Sequence, residues 1–90
     1  MHLNDLSKLM RIAGDESRLK ILCIIFNNKK ICVSSIAKEL NMSVAIVSHH
    51  LKVMAGENLL VPKQEGKCIY YQLSANSFVS DLKKFICKYK

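Results

Sequence analysis

The fold of this chain is decided by residues 34–54, which read SSIAKELNMSVAIVSHHLKVM. A helix that starts at Ser34 or Ser35 is predicted to end at Asn41, a residue that tolerates the left-handed conformation of a tight turn. Ser43 then caps a second helix. Apolar residues fall at helical spacing on both sides of the turn. The predicted inner faces are Ile36, Ala37 and Leu40, then Val44, Val47, Leu51 and Met54. Two short helices joined by a tight turn predict a helix-turn-helix.

The sequence before this motif predicts two further helices and a short extended segment. Apolar residues recur at helical spacing in residues 3–13, Gly14 ends that helix, and Asp15 is a good N-cap for the next one. Residues 31–33 are apolar and rich in β-branched side chains, so we expect an extended segment there.

A β-hairpin and a last helix are predicted after the motif. The strands cover residues 59–64 and 67–73 and are joined at Glu65-Gly66, and the helix covers about residues 75–89. We therefore predict one mainly α domain over residues 1–90 with a small β-hairpin. The order α-α-β-α-α-β-β-α is that of a winged helix-turn-helix.

The composition describes a small basic protein. Its 90 residues suffice for one domain, and half of them are hydrophobic, so a core is expected. The formal net charge of +7 favours a polyanionic partner, most simply double-stranded DNA, although a solubilising lysine surface would give the same charge. Because no leader or membrane span is visible, we expect a cytoplasmic protein whose cysteines are mostly reduced.

The second helix of the motif carries the side chains that we expect to meet DNA. At about 100° per residue, Ala45, His49 and Lys52 lie opposite the core stripe, where a helix in the major groove reaches base edges. His50 lies nearer the inner face and is expected to pack with a hydrogen bond to the backbone. Each polar residue alone could be an ordinary surface residue. Together they predict a DNA contact surface made of Ser43, Ala45, Ser48, His49 and Lys52 on the helix and Lys63, Gln64 and Lys67 on the wing.

Four stretches, in the same order, resemble the ArsR/SmtB family of bacterial repressors. They are GDESRLKIL at 14–22, VSSIA at 33–37, SVAIVSHHL at 43–51 and GKCIYYQL at 66–73. The resemblance implies a homodimer built from the first and last helices. It also implies a repressor that binds an imperfect palindromic operator and leaves it when an effector acts.

The metal sites of that family transfer poorly to this chain. One site uses a Cys-Val-Cys motif, of which Cys32 matches the first thiolate while Ser34 replaces the second. The other uses Asp and His residues of the last helix, which here offers only Asp81. We therefore expect no cofactor and no preformed metal site. A metal- or metalloid-responsive repressor that uses Cys32 or other thiolates stays open as an alternative.

Two cysteines resemble the sensing pair of the persulfide- and thiol-responsive BigR/SqrR/HlyU-like subgroup. Cys23 matches the position in the second helix, and Cys87 matches the position near the end of the last helix. The match implies that reactive sulfur species oxidise or link the two thiols and release the repressor. Cys87 has lysines near it in sequence and is the expected first nucleophile. The alternative is that the cysteines only pack, which leaves a constitutive regulator, and we expect Cys32 and Cys68 to be packing residues.

Other classes of protein fit the sequence less well. It contains no phosphate-binding glycine loop, nucleophile elbow or HExxH motif, so we do not expect an enzyme. A winged helix used only as a protein-interaction scaffold is a further alternative. Steep salt dependence of DNA binding would argue against it.

Overall fold

The computed structural model describes residues 3–28 and 30–89, Tyr89 by its backbone only. The elements in chain order are α1 (Leu3–Ala13), α2 (Glu16–Asn27), α3 (Val33–Leu40), α4 (Val44–Gly56), β1 (Leu60–Glu65), β2 (Cys68–Leu73) and α5 (Ser77–Tyr89). This order confirms the predicted winged helix-turn-helix. The prediction of an extended segment over residues 31–33 is wrong in its length. Cys32 forms one β-bridge with Tyr70, and α3 already begins at Val33.

Local hydrogen bonds explain where the helices begin. The predicted caps of α2 and α4 are confirmed, and α5 has a cap of the same kind. In each case a side-chain oxygen accepts from the backbone N–H three residues later, which satisfies a donor that the helix itself leaves without a partner. Asp15 accepts from Arg18 at 3.0 Å, Ser43 from Ile46 at 3.1 Å and Asn76 from Val79 at 2.9 Å.

The turn between α3 and α4 follows the prediction. Asn41 lies in the left-handed region with φ of 55° and ψ of 45°, and its N–H bonds back to the end of α3. This conformation turns the chain within the three residues 41–43, because α3 ends at Leu40 and Val44 already belongs to α4. The short turn fixes α4 against α3, as a helix-turn-helix requires.

The wing is a two-stranded antiparallel hairpin. Its register runs from Leu60 opposite Leu73 to Glu65 opposite Cys68. The turn is therefore Gly66-Lys67, one residue later than expected, and Gly66 supplies the positive φ of 60° that the turn needs. On β1 only Leu60 at the base is buried, whereas β2 buries Tyr70 and Tyr71, so it is the tip of the hairpin that is exposed.

The core lies between α2, α3, α4 and the base of the hairpin. Its fully buried side chains are Ile21, Leu22, Ile36, Val47, Leu51, Met54, Leu59 and Leu60. Among the described residues no polar or charged residue is buried, so the core is held by apolar packing. The prediction that Val44 belongs to the inner face is wrong, since it is 51% exposed. It is the first residue of α4 and lies beyond the edge of the core, whose stripe on this helix begins at Val47.

No helix among the described residues is long and apolar enough to cross a membrane.

Candidate nucleic-acid interface

The outer face of α4 is free of contacts with the core. Ala45, His49 and Lys52 are exposed, whereas Val47 and Leu51 on the opposite side are completely buried. Ser43 is exposed at the N-terminus of the helix, and Ser48 is half-buried at the flank of the face. The five predicted helix residues thus lie on or beside one surface of a rigidly packed helix. That surface can offer hydroxyl, imidazole and ammonium groups to a groove.

Apolar side chains also reach solvent on this helix, which the sequence analysis did not identify. Ile46 is 51% exposed, as is Val44. Ile46 lies about 100° from the buried Val47 on the helical wheel, so this position could have been found from helical geometry alone. An exposed methyl group can contact the thymine methyl in a major groove.

His50 fastens α4 to α2. It is half-buried, and its Nδ1 accepts a hydrogen bond of 3.1 Å from Nε of Arg18. The expectation of a backbone partner is therefore wrong. The partner is a side chain, because the guanidinium of Arg18, 32 residues away in sequence, donates the hydrogen bond. His50 is thus hydrogen-bonded to Arg18, whereas His49 is exposed on the outer face of α4.

Asp15 lies beside this pair and caps α2. The hydrogen bond from the backbone N–H of Arg18 lowers the pKa of the Asp15 carboxyl below its ordinary value. Desolvation opposes the shift, and the charges of His50 and Arg18 reinforce it. The carboxylate therefore stays ionised to lower pH when the protein is folded.

The wing presents the three predicted polar residues near its tip. Lys63, Gln64 and Lys67 are all exposed, and Nε2 of Gln64 donates to the carbonyl oxygen of Gly66 at 3.4 Å. The two lysines can meet phosphate oxygens as mobile point charges.

The segment before α3 holds the wing through Lys30. Its ammonium pairs with Glu65, and its Nζ lies 5.5 Å from the centroid of the Tyr70 ring. The hydrogen bond and the charge of Glu65 raise the pKa of Lys30. Lys30 therefore contacts the wing through Glu65 and Tyr70, and it is not counted among the DNA-contacting residues.

A disulfide joins Cys32 to Cys68, with their Cα atoms 5.7 Å apart. Two expectations are corrected here: the four cysteines are not mostly reduced, because two of them are bonded, and this pair does more than pack. The two residues are 36 positions apart in sequence. The β-bridge between Cys32 and Tyr70 is what brings the segment before α3 alongside β2. With Cys32 in a disulfide, its thiolate is not available to a metal ion.

Cys23 and Cys87, the predicted sensing pair, are reduced in the structure. Cys23 is half-buried and lines an apolar groove, whereas Cys87 is exposed and does not line it. The neighbours of Cys87 in sequence, Phe85 and Ile86, do line the groove. The structure thus places the two thiols on helices that border one groove but does not join them.

The groove runs between α1, α2 and α5 and has a volume of about 730 Å³. Apolar side chains form most of its wall: Leu6, Met10 and Ala13 from α1, Leu19 and Cys23 from α2, and Phe78, Leu82, Phe85 and Ile86 from α5. Met10 and Phe85 are 61% and 63% exposed. An apolar surface of this kind on a small domain indicates an interaction site. Among the described residues, no cluster of three or more His, Cys, Asp or Glu side chains could hold a metal ion.

Comparison with known proteins matches this architecture. Residues 15–60, just over half of the chain, fit the family described as bacterial regulatory protein, arsR family. The chain is 35% identical over 65 residues to the cadmium resistance transcriptional regulatory protein CadC of Listeria innocua. That alignment covers 72% of this chain but only 55% of the relative, so the chain spans little more than half of that protein's length.

Two solved structures extend the comparison to nearly the whole chain. The transcriptional repressor PagR of Bacillus anthracis superposes with a TM-score of 0.78 at 30% identity, covering 93% of this chain and 94% of that one. Reduced HlyU of Vibrio cholerae superposes with a TM-score of 0.83 at 23% identity, covering 96% and 90%. The expectation of a regulator and not an enzyme is confirmed, and the chain belongs to the arsR family of bacterial regulatory proteins.

Proposed function

We propose that the protein is a sequence-specific transcriptional repressor that binds an imperfect palindromic operator as a homodimer. The observation that carries this proposal is the exposed outer face of α4, where Ala45, His49 and Lys52 stand opposite a fully buried stripe. A helix packed in this way can enter a major groove as a rigid body. The net charge of +7 supplies the attraction to the phosphate backbone, and PagR is itself named a transcriptional repressor.

Each DNA-facing residue has a chemical role in this proposal. His49 reaches base edges, Lys52 meets a phosphate or a guanine, and Ala45 allows close approach of the helix. The hydroxyls of Ser43 and Ser48 suit phosphate oxygens near the positive end of the helix dipole. From the wing, Lys63, Gln64 and Lys67 contact the neighbouring backbone.

The dimer follows from the groove between the terminal helices. Exposed Met10 and Phe85 supply apolar surface on α1 and α5, and a second copy would cover it about a two-fold axis. A symmetric dimer presents two copies of α4 to successive major grooves, about 34 Å apart. A palindromic operator matches that symmetry.

A selection experiment with a matched pair of variants tests DNA binding. Duplexes are enriched from a random-sequence pool, and the affinity for the enriched duplex is measured over a range of salt concentrations. Lys52→Ala should weaken binding and flatten the dependence of log K on log salt. The control is Lys20→Ala on α2, which removes an exposed lysine that pairs with Glu16 on the same helix and should change neither quantity. No enrichment of any duplex would contradict the proposal and leave a protein-interaction scaffold. Equal effects of the two variants would contradict the placing of the DNA contact on α4.

We further propose that reactive sulfur releases the repressor through Cys23 and Cys87. Support comes from the positions of the two free thiols on helices that border the proposed dimer groove. A persulfide RSSH first transfers its outer sulfur to the Cys87 thiolate and leaves as RSH. The Cys23 thiol then attacks the Cys87 persulfide, which yields a disulfide and H₂S. The new bond would pull α2 and α5 together and shift the dimer.

The release mechanism is tested with the Cys23→Ser/Cys87→Ser double variant. Persulfide treatment should lower the DNA affinity of the wild type and leave the double variant unchanged. Intact mass and peptide mapping identify the linked cysteines. Unchanged affinity of the treated wild type would indicate a constitutive repressor. Loss of affinity in the double variant would place the sensor at other residues.

A further inference from the structure

The two DNA-reading elements are tied together by the second cysteine pair. Cys32 is the N-cap residue of α3, the first helix of the helix-turn-helix, and Cys68 is the first residue of β2 in the wing. We propose that Cys32 and Cys68 form a separate thiol–disulfide site that sets the mobility of the wing tip and thereby the affinity for DNA. The proposal rests on the proposed function, because it requires that the wing touch DNA.

The position of Cys68 in the hairpin is the first argument. It pairs with Glu65, which is the last pair before the Gly66-Lys67 turn. The opposite end of the hairpin is anchored by Leu60, which is buried in the core. Tyr70 and Tyr71 of β2 are also buried, but towards the turn every residue of β1 after Leu60 is exposed, so the disulfide holds the hairpin at its far end.

The other ties between the wing tip and the segment before α3 are weak in water. Lys30 and Glu65 form an ion pair between side chains that are 58% and 64% exposed. Exposed pairs of this kind contribute little and are screened by salt. The β-bridge between Cys32 and Tyr70 involves a single residue pair further from the turn. Opening the disulfide thus removes the covalent link between the tip and the segment before α3 and leaves the buried rings of Tyr70 and Tyr71 as the next anchor of β2.

The proposed DNA contacts lie on the part of the wing that the disulfide restrains. Lys67 precedes Cys68 directly, and Lys63 and Gln64 lie just before Glu65 on β1. Holding these side chains in place before binding reduces the entropy lost when they meet phosphates. The closed disulfide should bind DNA more tightly than the open dithiol.

The co-reactant is a low-molecular-weight disulfide such as oxidised glutathione. One cysteine thiolate attacks it, forms a mixed disulfide and expels one glutathione thiolate. The second cysteine thiolate then attacks the protein sulfur of that mixed disulfide and expels the other glutathione. The protein gives up two electrons and two thiol protons, and one oxidised glutathione becomes two reduced ones. Both protein thiols are half-buried and adjacent, so the second step needs no large movement.

The experiment uses the Cys23→Ser/Cys87→Ser background, so that this pair alone can react. Protein equilibrated in glutathione buffers of increasing oxidised fraction is alkylated, and intact mass gives the fraction of closed disulfide. The affinity of the closed and open forms is then measured for the duplex enriched from the random pool. We expect a single two-electron transition and an affinity about three- to tenfold lower for the open form, a change of roughly 0.7–1.4 kcal/mol.

A second variant shows whether the effect acts through the wing. Lys67→Ala removes a proposed tip contact, so the ratio of closed to open affinities should fall towards one in this variant. Equal affinities of the closed and open forms would overturn the inference while leaving the proposed function intact. The inference would also be overturned if Cys32 and Cys68 stayed unlinked in every glutathione buffer. The same holds if Lys67→Ala left the ratio of closed to open affinities unchanged. If neither form binds any duplex, the proposed function fails as well.

Discussion

Opening the Cys32–Cys68 disulfide should lower the stability of the folded protein by a large amount. The bond closes a loop between residues 36 positions apart. In the chain-entropy model, a loop of this length restricts the unfolded chain by about 4 kcal/mol at 25 °C. A typical domain has a total stability of only roughly 5–15 kcal/mol, so the reduced protein would retain a fraction of it. With a urea dependence of about 2 kcal/mol per M, the unfolding midpoint should fall by about 2 M.

The assay is urea unfolding of the oxidised and reduced wild type at one protein concentration, because dimerisation makes the midpoint concentration-dependent. Cys68→Ser should unfold like the reduced wild type and should not respond to reductant. Cys23→Ser serves as the matched control and should keep the full response to reductant. Equal midpoints for oxidised and reduced wild type would refute the reasoning, since they would mean that the bond does not restrict the unfolded chain.

Three further perturbations test the caps, the core and the groove. Asp15→Ala should cost about 1 kcal/mol at neutral pH. Because the pKa of the Asp15 carboxyl is lower in the folded state, its contribution to stability is fully present at a pH above its unfolded-state pKa. That contribution is lost as the pH falls through the folded-state pKa. Unfolding curves that show the same cost of Asp15→Ala at every pH would contradict this. Leu51→Ala should cost about 2–5 kcal/mol, because Leu51 is fully buried, and a thermal-unfolding cost well under 1 kcal/mol would show that the site is not packed. Phe85→Glu places a charge on the groove between α1 and α5 and should yield monomers in sedimentation, whereas an unchanged dimer would exclude this surface as the interface.

The fold was largely predictable because its signals are local. The caps at Asp15 and Ser43 and the left-handed Asn41 each depend on residues within three positions, and the structure confirms all three. The errors also have a physical cause. Val44 fits the inner stripe by periodicity, but periodicity does not say where the core ends along the helix axis.

Contacts between distant parts of the chain were beyond sequence reasoning. The bond from Arg18 to His50 spans 32 residues and the disulfide spans 36. Each depends on how two elements pack, which a single sequence does not display. The exposed side of α4, which we propose faces DNA, could be predicted, because the opposite side of a helix follows from its buried stripe. Whether Cys23 and Cys87 react with each other is a question of chemistry and stays a prediction.

The central claim is that two copies of α4 enter successive major grooves of an operator. Methylation protection of guanine N7, which lies in the major groove, tests it on the enriched duplex. The account predicts two protected segments with centres about 10 base pairs apart, or a multiple of that spacing, arranged about a two-fold axis. A single protected segment, or none at a protein concentration that saturates binding, would contradict it.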